Sequence, residues 1–167
     1  MAQQTMTEID AFRNTFEKEY QTTRKILHAY PPDKASLKPA EKSRTAQELA
    51  WMMTLNQMVP TVALDRSELT GGNMPQAPGT WDAILAAFDK AHNDTAARLA
   101  HTNEAEWGSE LKMPLAPRQM GSLQRGQALW FFLYDSIHHR GEFVVYARMA
   151  GAKVPSIYGP TADESWT

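Results

Sequence analysis

Apolar residues recur near the N-terminus as Ile9, Phe12, Phe16, Tyr20, Leu27 and Tyr30. Steps of three and four, with polar Thr23 filling one gap, predict an amphipathic helix from Thr7 to about Tyr30. The polar stretch PPDKASLKPAEKS ends it, because consecutive prolines cannot continue a helix. Ser43 or Thr45 can cap a second helix from about Ala46, and Glu48, three residues after Thr45, completes a capping box. Leu49, Met52, Met53, Asn56 and Val59 fall on one side of it. Pro60 is expected to kink this helix and LTGGNMPQAPG to end it.

Thr80 predicts a third cap, followed by apolar Trp81, Ile84, Leu85, Phe88 and Leu99. EAEWGSELKMPLAPRQMGS then alternates briefly around Leu111 and Met113 and contains two prolines, which reads as a short hairpin or an irregular excursion. Ser122 is expected to cap a last helix that runs to about Ala150 and stops at Gly151, a natural left-handed terminator. The extended tail AKVPSIYGPTADESWT is too rich in Pro and Gly for a helix. Its Val154, Ile157, Tyr158 and Trp166 predict that it packs on the body of the protein. Four long helices sharing one core make an all-α four-helix bundle, a single domain over residues 1–167.

Composition narrows the function classes. The 167 residues are 43% hydrophobic and 22% charged, with a formal net charge of -2. Such a balance gives no electrostatic footprint for nucleic acid. No window approaches a membrane span, and the N-terminus lacks a signal peptide's basic and apolar regions, so a cytoplasmic location is expected. There are no cysteines, which excludes disulfides, thiolate metal sites and cysteine nucleophiles.

The candidate chemistry lies in LYDSIHHRGEF on the last helix. Asp135 and His139 are four apart and share a face. Ala128 to Tyr134 is apolar on every side, which predicts a helix buried by several partners and places the pair near core depth. Two ligands at this spacing, joined by a third from a facing helix, would build a bundle metal site. Alternatively the pair simply hydrogen-bond each other, with Arg140 or Glu142 completing a polar network. His138 and His139 diverge by about 100° and are not expected to face one centre.

Four segments together resemble the DinB-like (DinB/YfiT) family. They are LKPAEKSRTAQELA before and into the second helix, ELAWMM on it, DSIHHRGEF on the last helix, and MAGAKVPSIYGPTADE after it. The resemblance implies an up-down-down-up DinB-like four-helix bundle and a homodimer. It also implies a divalent metal, zinc or nickel, and metal-dependent enzymes that use low-molecular-weight thiols as substrates. The family's ligands are three histidines. His139 matches the last of them, Asp135 stands at the middle one, and Met52 stands where ELAWM would end in histidine. Because a thioether is a poor ligand for zinc or nickel, the ion is expected at low occupancy or not at all. Glu48 and Asn56, one turn either side of Met52, are the residues able to lean in.

Elsewhere, His28, His92 and His101 read as helix-end or surface histidines. Trp51, Met52, Met53, Met58, Trp81, Trp130, Phe131 and Phe132 read as core. Arg140 is expected to form a salt bridge to the tail. Three functions compete: a thiol-dependent metalloenzyme of the transferase class, a metal-free binder of small apolar ligands, and a structural dimer. The binder's pocket would be lined by Met52, Trp51, Phe132 and Tyr146.

Overall fold

A computed structural model describes residues 6–70, 72 and 74–166. Thr7 caps α1 (Glu8–Ala29) by accepting a hydrogen bond from the Asp10 N–H. Ile9, Phe12, Phe16, Tyr20, Leu27 and Tyr30 are buried, as the spacing predicts, and so is Ile26. Thr45 and Glu48 form the expected capping box of α2 (Ala46–Asp65), which continues through Pro60. Thr80 caps α3 (Trp81–Ala100). A single turn, α4 (Glu104–Trp107), leads into an antiparallel hairpin of β1 (Glu110–Ala116) and β2 (Gln119–Gln124). The last helix is α5 (Arg125–Met149).

Ser122 does not cap α5. It pairs with Lys112 in the hairpin, and its hydroxyl donates to Glu110. Strand pairing extends to Gln124, so the helix begins after it; Gln127 reaches back to the Gln124 N–H. At the other end Gly151 adopts φ +76°, the left-handed terminator that the sequence indicates.

Helix α2 packs on α3 and α5, and α1 packs on the same two helices, so the four long helices close around a common interior. That interior has two apolar clusters. One joins Tyr30, Leu49, Met53, Trp81, Phe88 and Phe143. The other joins Phe12, Phe16, Trp107, Leu111, Leu129 and Leu133. The hairpin belongs to the second cluster, because Leu111 and Met113 point inward while their neighbours face solvent. Gly126 lets it close: a Cβ there would overlap the Trp107 indole. Among the described residues no helix is long and apolar enough to cross a membrane.

Helix α5 is less enclosed than Ala128–Tyr134 suggests. Phe131 is 54% exposed and Tyr134 60%, and Val145 and Met149 are exposed as well. They lie in one row along the helix. Only the opposite side meets α1 and α2, so the expectation of complete burial is corrected. The tail packs in part as expected: Val154 is buried and its N–H donates to Asp163 over 2.9 Å, while Ile157 is half-buried and Tyr158 and Trp166 remain largely exposed.

Candidate functional site

The chemistry gathers at the middle of α5. His139 Nε2 lies 3.3 Å from Asp135 Oδ2, one turn earlier. That same oxygen accepts a hydrogen bond from Asn56 Nδ2 over 2.8 Å, which ties α2 to α5 at this level. On the other edge of the ring, His139 Nδ1 lies 3.1 Å from Glu142 Oε2. The buried imidazole therefore has a carboxylate at each nitrogen.

The hydrogen bond with Asp135 is the main cause that raises the pKa of His139; burial opposes it and Glu142 reinforces it. Reciprocally, His139 holds Asp135 below the usual carboxylate range, helped by Asn56 and opposed by desolvation. Each shift favours the charged form of its own group.

His138 is exposed, and its ring centroid lies 5.3 Å from that of His139. Glu142 reaches both rings, with His138 Nε2 3.2 Å from Oε1. One donor atom each from His138, His139 and Glu142 lie within 4.8 Å of one another. The expectation that the two histidines cannot share a centre is thus corrected. A long side chain three residues from one and four from the other spans the divergence. That spacing was the available signal for Glu142.

Met52 is half-buried against the larger core cluster, one turn before Asn56. Glu48 is exposed, and its carboxylate accepts the Thr45 N–H over 2.7 Å. That cap holds its pKa low. Asn56 is therefore the α2 side chain whose hydrogen bond reaches the Asp135–His139 pair.

Two further expectations change. Arg140 is fully buried and pairs with Glu19 of α1 over 2.6 Å, while Arg148 makes the ion pair to Asp163 of the tail. The tail reaches Arg140 through Tyr158, whose ring lies 5.0 Å from the guanidinium and whose hydroxyl donates to Glu19 over 2.7 Å. His92 is a core residue. It stacks on Tyr20 with centroids 3.6 Å apart, and Nε2 lies 2.8 Å from Glu17. Burial is the main cause that lowers its pKa.

The donors around His139 fit a divalent ion. Zinc and nickel accept imidazole nitrogen and carboxylate oxygen readily. With bonds of about 2.0–2.1 Å, neighbouring ligand atoms in a tetrahedron stand about 3.3 Å apart. The separations of 3.2 Å for His138 Nε2–Glu142 Oε1 and 3.1 Å for His139 Nδ1–Glu142 Oε2 are close to that edge, and they run to the two oxygens of one carboxylate; Asp135 meets the opposite ring nitrogen and lies outside that set.

The DinB family model matches residues 1–166. An uncharacterised Bacillus subtilis protein, YrdA, is 25% identical over 158 residues, spanning 95% of this chain and 92% of that protein. A crystal structure of a DinB-like protein of B. subtilis, YjoA, superposes with a TM-score of 0.71 at 18% identity. It covers 88% of this chain and 97% of its own. A DinB-like protein of Bacillus cereus gives 0.69 at 20% identity, covering 88% and 95% respectively.

Proposed function

The chain belongs to the DinB family, and from that premise we propose that it is a metal-dependent enzyme of small-molecule chemistry, with zinc or nickel held by His138, His139 and Glu142. The observation that carries this reading is the Glu142 carboxylate, which turns one oxygen toward each histidine. His139 then binds through Nδ1 and donates Nε2–H to Asp135, which Asn56 steadies from α2. A carboxylate on the far nitrogen fixes the ring and raises its basicity. Asp135 and Asn56 are thus positioning residues, and Met52 marks an α2 side without an imidazole. When bound, the ion would supply Lewis acidity for activating a thiol or a water, which suits the thiol-dependent transferase class.

A metal-free reading has its own support. Among the described residues no buried side-chain nitrogen or oxygen lacks a hydrogen-bond partner, so the network is complete without an ion. Metal analysis of untagged protein, before and after loading with zinc or nickel, separates the two readings. We expect uptake of about one equivalent, lost in Glu142→Gln, because removing a charged ligand weakens a three-ligand site sharply. No uptake after loading would leave a small-ligand binder or a structural bundle.

We also propose that the chain forms a homodimer through α5. The exposed Phe131 and Tyr134, at the N-terminal side of the site on α5, form an apolar surface of the kind that partners cover. Light scattering should give the mass of a dimer, and Phe131→Glu should shift it to a monomer.

A further inference from the structure

Next to Glu142, a cavity of about 650 Å³ opens between the segment preceding α2 and the wall of α5. Lys42, Ser43 and Arg44 line one side, Glu142 and Tyr146 the other, and Leu49 supplies a buried apolar part. The volume suits a small metabolite rather than a polymer.

Its two cations make no direct ion pair among the described residues, although Arg44 lies near enough to Glu48 to help hold that carboxylate's pKa low. Arg24, Arg98, Arg140 and Arg148 each find a carboxylate. Neither the Lys42 ammonium nor the Arg44 guanidinium makes a hydrogen bond or close ion pair among the described residues. Their backbone is nonetheless fixed. The Tyr146 hydroxyl donates to the Arg44 carbonyl over 2.9 Å, and the Ser43 N–H donates to the Ala40 carbonyl over 3.0 Å. The anchored backbone holds both cations on one edge of the cavity, and the two exposed side chains are what a ligand has to order.

We propose that this cavity takes a small oxyanion-bearing molecule, a carboxylate or a phosphate, with its anionic end on Lys42 and Arg44. A guanidinium beside an ammonium gives charge-assisted hydrogen bonds to either group. The opposite end of the cavity is Glu142, whose negative charge repels the oxyanion. Polarity therefore orients the ligand, with its uncharged end toward Glu142 and Tyr146. Only the chemistry at that end rests on the metal-dependent reading above.

The test uses the full chain without added metal, titrated with succinate and with inorganic phosphate at constant ionic strength and followed by amide chemical shifts. Saturable shifts at residues 42–44 and at Tyr146 are expected for at least one probe, and the tighter probe identifies which oxyanion the site prefers. The double variant Lys42→Ala, Arg44→Ala should weaken that binding about tenfold or more, as loss of charged hydrogen bonds requires. Both side chains are exposed, so its melting temperature should match wild type. No saturable binding of either probe, or equal affinity in the double variant, overturns the proposal. Zinc or nickel uptake should be the same in the double variant. Failure of metal binding and failure of oxyanion binding are therefore read separately.

Discussion

Asn56 of α2 donates to Asp135 Oδ2 over 2.8 Å, and that same oxygen faces His139 Nε2. One carboxylate oxygen thereby joins two helices to the imidazole. Asp135→Asn keeps the shape and removes the charge that raises the His139 pKa. The His139 pKa, read by NMR titration of metal-free protein, should fall, since burial then acts with less opposition. The loss in stability should be about 1 kcal/mol. The sign follows from linkage. A raised histidine pKa contributes stability that is full below its unfolded value of about 6.5 and is lost as pH rises through the folded value. The depressed Asp135 contributes above about pH 3.9 and loses its share as pH falls through its folded value. The gap in melting temperature between wild type and variant should therefore be wider near pH 6 than near pH 9. An unchanged His139 titration would sink this account.

Tyr158 closes the tail over a buried ion pair. Its hydroxyl bonds to Glu19 and to Arg140, and both of those side chains are almost fully buried. Removing the hydroxyl leaves buried charged groups short of a partner, which costs about 1–3 kcal/mol. Tyr158→Phe should lower stability by that amount in denaturant unfolding. Amide exchange over residues 154–163 should speed up. Exchange that stays at the wild-type rate would mean that Asp163 and Arg148 hold the tail alone.

His92 gives the protein an acid-side weakness. Its ring is buried between α1 and α2, with Glu17 2.8 Å away and Asp89 nearby, and burial outweighs both carboxylates. A histidine whose folded pKa is depressed takes up its proton more readily in the unfolded chain. Stability should therefore fall as pH drops below about 6.5. His92→Gln, though less stable overall, should lose less between about pH 7 and pH 5 than wild type does. Parallel urea midpoints at the two pH values would assign the acid sensitivity to other groups.

Helix boundaries were legible wherever a local signal decided them. The Thr45–Glu48 capping box, the Thr80 cap and the Gly151 terminator act within a single turn of chain. Ser122 was misread because strand pairing with Lys112, a tertiary matter, competes for it. The exposure of Phe131 and Tyr134 was hidden for a related reason: composition shows an apolar helix but not how many neighbours it has. At the site, the Asp135–His139 spacing was readable, and so was Asn56 as a residue able to lean in. The spacing put Glu142 within reach of both histidines, but that one oxygen turns to each depends on its rotamer. His92 looked like an ordinary helix-face residue because its burial comes from Tyr20 and Phe16 of another helix.

Met52 offers the most direct handle on the metal question. It stands one turn before Asn56, and Asn56 is in contact with Asp135, so an imidazole at position 52 would project toward the α2 side of the Asp135–His139 pair. Met52→His would give that side an imidazole, the Asp135 carboxylate and the Nε2 edge of His139, a set suited to zinc or nickel. A thioether contributes little to such ions, so wild type has no comparable set there. Binding to the folded state alone raises stability with the logarithm of metal concentration. The variant should therefore gain more in melting temperature than wild type as zinc or nickel is added. Glu142→Gln should remove the wild-type response and leave most of the gain in the Met52→His background, since Glu142 lies at the other ring nitrogen. Equal metal-dependent shifts in wild type and Met52→His would show that position 52 does not face the pair.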